Sequence, residues 1–166
     1  MKTLFLMRHA KSSWKEPLPD HERPLNKRGR KAAKKMGKWL AKTGWIPDLI
    51  LSSDARRAVE TARRVRKGLQ RDIPIRTNPS LYEADVHRIF DVIAEMEDLI
   101  ESLLIIAHNP GISEAAVWAS DDETFAWMPT AAVLGLRCRI ESWKEVGKRS
   151  PADTLFYCLP KSLEKK

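Results

Sequence analysis

Cysteine is scarce in this chain: Cys138 and Cys158 are the only two, and no CxxC spacing relates them. That argues against a disulfide framework or a thiolate metal site and for two reduced, packed thiols. Long hydrophobic runs are missing too, so no segment is expected to span a bilayer. The first apolar run, at 4–7, stops on Arg8 without the apolar centre or small-residue cleavage site of a secretory signal, and the expected address is cytoplasmic. There is no internal repeat, low-complexity tract or linker. Carboxylates are not clustered in the way that would hold magnesium, and neither metal nor cofactor is expected.

What is present is enough for one core. The 166 residues, 43% of them hydrophobic and six of them tryptophan, suit a domain that hides roughly two thirds of its unfolded surface. A single domain over 1–160 is expected, with 161–166 as a loose C-terminal tail. The net charge of +8 is uneven: residues 1–71 hold 20 Lys/Arg against 6 Asp/Glu, residues 72–124 hold 2 against 12, and residues 125–166 hold 8 against 4. A basic face for a polyanion would produce this polarity, and so would the solvated side of an amphipathic helix. Lys27, Lys31, Lys34, Lys35 and Lys38 fall at helical spacing, and no nucleic-acid motif or aromatic-basic stacking pattern accompanies them. The helical reading is preferred, and no nucleic-acid partner is expected.

Along the chain, strand-like and helix-like stretches alternate. The run at 3–7 reads as a buried strand, followed by a loop with Pro17, Pro19 and Pro24. Ala33, Met36, Gly37 and Leu40 then recur at helical spacing across 27–43, behind an Asn26 cap and before a Gly44 stop. A strand at 48–53 leads into a helix striped by Ala55, Ala58, Val59, Ala62, Val65 and Leu69. A third strand is expected at 73–77 and a third helix over Val86, Ile89, Phe90, Ile93 and Met96, capped by Asp85. The most apolar strand, 103–107, precedes a short helix at 113–119, and strands at 131–136 and 154–158 close the pattern. Such alternation predicts an α/β fold with a mostly parallel central sheet covered on both faces, a three-layer α/β/α sandwich.

In a parallel sheet the carboxyl ends share one edge. Three of the predicted strands end on polar groups: Arg8-His9 after the first, Ser52-Ser53 and then Arg56-Arg57 after the second, His108 after 103–107. Arginine offers planar, bidentate donors to phosphoryl oxygens, and a helix start adds backbone N–H groups and a positive dipole end. A histidine in such a pocket can attack phosphorus and carry the phosphoryl group covalently. Each element alone also has an ordinary structural reading: a satisfied Arg-His pair, two arginines facing water, a core histidine. Shared edge and shared ligand chemistry favour a phosphate site. Spacing does not choose between Arg56 and Arg57.

The residues resemble a known family over nearly the whole chain. Arg8-His9-Ala10 is similar to the Arg-His-Gly signature of the histidine phosphatase (phosphoglycerate mutase-like) superfamily. Arg-Pro-Leu-Asn-Lys-Arg-Gly at 23–29, Ser-Asp-Ala-Arg-Arg-Ala-Val-Glu-Thr-Ala at 53–62, Leu-Tyr-Glu-Ala at 81–84, His-Asn-Pro-Gly at 108–111 and Pro-Thr-Ala-Ala at 129–132 resemble blocks of its small SixA-type phosphohistidine phosphatases, in order. The resemblance implies the phosphoglycerate mutase-like fold, with His9 as nucleophile and Arg8, Arg57 and His108 holding the phosphoryl group. It also selects Arg57 over Arg56.

Departures qualify what carries over. Ala10 replaces a usual glycine, which a negative φ tolerates. Asp54 replaces the usual proline, Glu60 the usual glutamine, and Lys15 stands where mutase-like relatives carry a phosphate-contacting asparagine. The long insertions that enclose small substrates in larger relatives are missing, so an open pocket suited to a side chain on a protein is implied. Glu83 is the candidate general acid, with a surface or capping carboxylate as its ordinary reading. Ser12 is a candidate phosphate donor, His21 a candidate rim residue, and His87 an ordinary surface histidine. The expected activity is metal-independent removal of phosphate from a phosphohistidine protein through a His9 phosphoenzyme. A phosphomonoesterase for a small phosphorylated metabolite is the alternative enzyme, and a basic polyanion-binding module the alternative outside enzymes. A monomer is the default.

Overall fold

In the computed structural model, which describes residues 1–148 and 151–163, strand β1 spans Lys2–Arg8. Its side chains alternate between two apolar clusters: Leu4 and Leu6 enter one, Phe5 and Met7 the other. A strand covered on both faces has no polar side to show, which is why the run reads as unbroken apolar sequence. The same holds for Leu103, Ile105 and Ala107 against Leu104 and Ile106 further along.

The remaining elements follow in the order α1 (Lys27–Thr43), β2 (Leu49–Ser52), α2 (Arg56–Leu69), β3 (Ile75–Thr77), α3 (Val86–Ala94), β4 (Ser102–Ala107), α4 (Gly111–Ser120), β5 (Val133–Cys138), β6 (Asp153–Cys158) and α5 (Pro160–Leu163). They build one six-stranded sheet in the order β3-β2-β4-β1-β5-β6. The four strands β3, β2, β4 and β1 are parallel; β5 runs antiparallel to β1, and β6 to β5. The expected α/β/α arrangement with a mostly parallel sheet is what the structure shows, with two antiparallel strands added at one edge.

Helices α1 and α2 bury Ala33, Met36, Leu40, Ala62 and Val65 on one face of the sheet, while α3 and α4 bury Ile89, Val92, Ile112 and Ala116 on the other. The chain therefore leaves the carboxyl end of β1 toward one face and that of its neighbour β4 toward the opposite face. Such a switch point opens a crevice between the two departing segments, where open α/β sheets place their ligands. Helices α1 and α2 meet backbone to backbone. A Cβ on Gly37 would lie 2.1 Å from the Val65 carbonyl oxygen, and one on Gly68 2.1 Å from that of Lys34, so only glycines permit this contact.

Local signals explain the boundaries that sequence reading placed correctly. Asn26 accepts the Gly29 N–H at 2.7 Å, Gly44 takes the left-handed conformation at φ 83°, and Asp85 caps α3 through the Arg88 N–H at 2.9 Å. Three expectations need correction. The strand expected from residue 73 starts at Ile75. The strand expected from residue 131 starts at Val133, because Ala131 has φ 64° and cannot be extended. The tail expected to be loose from residue 161 instead continues α5 to Leu163, which packs against the cluster that α1 covers; residues 164–166 lie outside the described residues. Cys138 and Cys158 are buried and unpaired. Among the described residues no helix is long and apolar enough to cross a membrane.

Candidate active site

Three strand ends converge on the crevice. β1 ends on Arg8 and is followed by His9, β4 is followed by His108, and β2 is followed by Ser53 and then α2 with Arg57 in its first turn. Since β1, β4 and β2 are parallel neighbours, these residues emerge at one edge. The His9 and His108 rings lie 5.0 Å apart, centroid to centroid.

His9 is 7% exposed, and its Nδ1 sits 2.7 Å from the Ala10 carbonyl oxygen. A carbonyl only accepts, so Nδ1 carries the proton and the Nε2 lone pair is left to face Arg57, whose Nε lies 3.4 Å away. The Ala10 backbone is in turn held by its N–H to Thr61 Oγ1 at 3.0 Å. Burial, aided by the Arg57, Arg8 and Arg23 cations and opposed by the Ala10 hydrogen bond, brings His9 down to about 4. His108 is brought down to about 3, first by burial and then by His9 and Arg57. Arg57 Nη2 donates toward His108 Nδ1 at 3.5 Å, which leaves His108 Nε2–H to donate to Ser53 Oγ at 2.8 Å. Both imidazoles are neutral at neutral pH.

Asp20 grips Arg57 from the far side. Arg57 Nη1 donates to the Asp20 carbonyl oxygen at 2.7 Å and Nη2 to its Oδ2 at 3.0 Å, which leaves the Nε edge turned toward the two histidines. The Tyr82 hydroxyl donates to the same Oδ2 at 2.5 Å, and Arg23 Nε to Oδ1 at 3.2 Å. The Tyr82 hydrogen bond, then Arg57, pull the Asp20 carboxyl down to about 2, and the same bond pushes Tyr82 up to about 12. Arg8 donates from Nη1 to the Met128 carbonyl at 3.1 Å, and its guanidinium lies 5.5 Å from the Trp127 ring centroid. Its Nε is a buried donor with no partner in the structure. A buried donor left without an acceptor costs free energy.

These groups surround an open cavity of about 370 Å³. Arg8, Lys11, Arg23 and Arg57 supply its charge, His9 and His108 its base, and Ser12, Trp14, Asn109 and Thr130 the rest of its wall. Among the described residues that line it there is no carboxylic acid. The charge and size of such a cup suit a doubly charged tetrahedral anion, to whose oxygens guanidinium N–H groups can donate.

The structure thus brings together Arg8, His9, Arg57 and His108 and adds Ser12, whose Oγ accepts from Arg23 Nη1 at 2.8 Å. Arg56 points outward onto Glu60 at 3.5 Å. His21 sits outside the lining, against Asp54 at 2.9 Å and edge-on to Tyr82, so Asp54 gives His21 a partner that proline could not. Glu83 is exposed, holds φ 56°, and is not part of the lining. His87 lies edge-on to Trp118. Sequence reasoning missed Asp20, Arg23, Tyr82, Trp14 and Trp127. Arg23 and Tyr82 had a signal, standing in the blocks at 23–29 and 81–84.

The model of the histidine phosphatase superfamily (branch 1) matches residues 4–114. The chain belongs to this superfamily. A chloroplastic, uncharacterized protein of Arabidopsis thaliana is 37% identical over 163 residues, covering 87% of this chain and 70% of that protein. An uncharacterized protein of Mycobacterium tuberculosis is 35% identical over 111 residues, covering 67% of this chain and 68% of its own. The fold is similar to that of SixA from Agrobacterium tumefaciens (TM-score 0.82, 24% identity, 96% of this chain and 98% of that one). It also resembles the protein histidine phosphatase SixA complexed with tungstate (TM-score 0.81, 22% identity, 97% and 99%). The mycobacterial glucosyl-3-phosphoglycerate phosphatase in complex with VO3 shares it more distantly (TM-score 0.70, 16% identity, 94% and 98%). This histidine phosphatase is a phosphate-releasing hydrolase.

The lowered histidines of the phosphatase cup give a pH prediction. Below about pH 6.5 the unfolded chain takes up protons on these two imidazoles while the folded chain, with His9 near 4 and His108 near 3, does not. The folded state loses stability as pH falls through that window. Asp20 works in its own range: its contribution is present above the unfolded value of 3.8 and is lost as pH falls through about 2. The urea midpoint is expected to drop steadily from pH 7 to pH 4.5, and imidazole NMR signals of His9 and His108 are expected to stay in the neutral form there. Titration of both near 6.5 would contradict the buried, cation-flanked cup.

Proposed function

We propose that this histidine phosphatase removes phosphate from phosphohistidine on a protein, through a phosphoryl group carried on His9 Nε2. In the first step the Nε2 lone pair bonds to phosphorus as the P–N bond of the substrate breaks and its imidazole departs. The Arg57 Nε edge, turned toward the two histidines, can donate to the phosphoryl oxygens, and the Nδ1–H bond to Ala10 steadies the cationic ring of the phosphoenzyme. In the second step water attacks phosphorus, inorganic phosphate leaves, and the Nε2 lone pair is restored.

The observation that carries the substrate class is the lack of a carboxylic acid among the described residues lining the cup. An alkoxide leaving group requires a proton from a placed acid, whereas a phosphohistidine ring protonated on its other nitrogen leaves as neutral imidazole. Asp20 has no proton to give, since it titrates near 2, and acts by holding Arg57. The open cup, walled by Trp14 at 77% exposure, suits a side chain on a protein surface. Tungstate, the oxyanion bound to one protein of this fold, has the double charge and tetrahedral shape this cup is suited to. A cytoplasmic setting is part of the proposal.

Phosphate release from a phosphohistidine peptide and from an alkyl phosphate, both in EDTA, tests this reading. The peptide is expected to be much the better substrate, and Glu83→Gln is expected to leave its turnover within about twofold. A preference for the alkyl phosphate, combined with a tenfold or larger loss on Glu83→Gln, would replace the proposal with a metabolite phosphomonoesterase that uses Glu83 as its acid.

A further inference from the structure

Most of the cup wall is charged or polar, and Trp14 is the exception. Among the described residues that line the cavity, it alone has a large apolar side chain. It belongs to neither apolar cluster of the core, and it stays 77% exposed although the Arg23 guanidinium lies 3.5 Å from its ring centroid. A lining residue that is mostly in solvent stands at the opening of a cavity, whereas His9 and His108, both buried, stand at its floor. An indole left in water at that place gives the fold no core packing in return for its exposed apolar area.

The ring is nonetheless supported from behind. Arg23 is buried, and its Nε donates to Asp20 Oδ1 at 3.2 Å while its Nη1 donates to Ser12 Oγ at 2.8 Å and to the Ser13 carbonyl at 3.3 Å. The backbone on either side of the ring is tied down as well. Ser13 N–H donates to the Pro24 carbonyl at 2.8 Å, Lys15 N–H donates to Ser13 Oγ at 3.2 Å, and Ser12 pairs with Leu25 in an antiparallel bridge. One face of the indole therefore rests on a guanidinium that three acceptors hold, and the other face is left to solvent. A flat apolar surface that is already ordered binds a second flat group without the entropic cost of immobilising a loose side chain.

The reaction decides which flat group arrives there. In-line displacement puts the leaving group on the side of phosphorus away from His9 Nε2, which is the open side of the cup. We propose that Trp14 is a specificity-determining residue: the imidazole ring of the phosphohistidine substrate stacks on its open face, so that the cup selects heteroaromatic phosphoramidates over aliphatic ones such as phospholysine. Offset stacking of two rings adds to what area burial alone supplies, and an aliphatic stem has no ring face to offer. The inference rests on the phosphohistidine reading of the cup and adds the contact by which the ring, rather than its phosphoryl group, is recognised.

Two small probes isolate the ring. N-phosphoimidazole and phosphoramidate share a P–N bond, and only the first carries a ring. The readout is the ratio of their kcat/KM values, since any effect of Trp14 on Arg23 and the rest of the cup falls on both. Trp14→Leu keeps an apolar side chain and removes the ring face; it is expected to lower the ratio about fivefold or more, through KM for N-phosphoimidazole. Trp14→Phe, which keeps a ring against Arg23, is expected to restore most of the ratio. A phosphohistidine peptide measured against a phospholysine peptide should rank the three proteins in the same order. An unchanged ratio in Trp14→Leu, with both probes slowed equally or not at all, would overturn the stacking platform and leave the cup untouched. Failure of the wild type to turn over either probe would instead overturn the reading of the cup, and the platform with it.

Discussion

His9→Ala is expected to lower phosphate release from a phosphohistidine peptide by about 10⁴-fold or more, with the loss in kcat and with the fold retained. The expectation follows from the state of one lone pair. His9 is buried and neutral, its Nδ1–H is tied to the Ala10 carbonyl, and its Nε2 faces Arg57. His108 presents the opposite ring nitrogen: its Nδ1 accepts from Arg57 while its Nε2–H is bound to Ser53. An attack from His108 would have to come from Nδ1, the ring nitrogen next to its own side-chain stem. Folding should survive, because the alanine removes an imidazole whose protonation burial and the flanking cations oppose. A single-digit fold loss would mean that water attacks the substrate phosphorus directly.

Arg57→Ala is expected to reduce kcat/KM by about 10²–10³-fold, of the size seen when one preorganised donor is removed from a developing anion. The loss should exceed that of Arg56→Ala, which is expected to stay within about twofold because Arg56 faces Glu60 at the surface. Arg57→Lys should recover little of it. A lysine carries the charge but cannot hold Asp20 with one edge and offer a second edge to the phosphoryl group. Asp20 and Tyr82 depend on this geometry as well, since their shared hydrogen bond fixes the carboxylate that orients the guanidinium. Full rescue by lysine would show that charge alone, rather than the directed Nε edge, does the binding.

How far the sequence reveals this site depends on what kind of signal each residue leaves. Leu4 to Met7 and Leu103 to Ala107 are legible because burial on both faces erases polar alternation. Once those strands are parallel neighbours, the placement of His9 and His108 follows from topology alone. Helix α1 is legible to the residue because Asn26 and Gly44 carry a cap and a left-handed turn in their side-chain chemistry. The antiparallel pairing of β5 and β6 is not, since nothing in a short apolar strand states its direction. Asp20, Arg23 and Tyr82 sit in 3-10 turns or loops without periodicity, so their convergence on Arg57 depends on tertiary geometry. Glu83 shows the opposite: its motif is easily read, but a left-handed backbone at that position leaves it exposed and outside the cup lining. The choice of Arg57 over Arg56 needed family resemblance, and burial explains it: Arg57 is 6% exposed.

The most direct measurement is rapid acid-free quenching after mixing enzyme with a phosphohistidine peptide, followed by peptide mapping under conditions that preserve phosphoramidates. An acid-labile phosphoryl group on Nε2 of His9, formed within the first turnover and lost in the next, is the expected result. Label on any other residue, or turnover with no labelled enzyme at all, would contradict the mechanism.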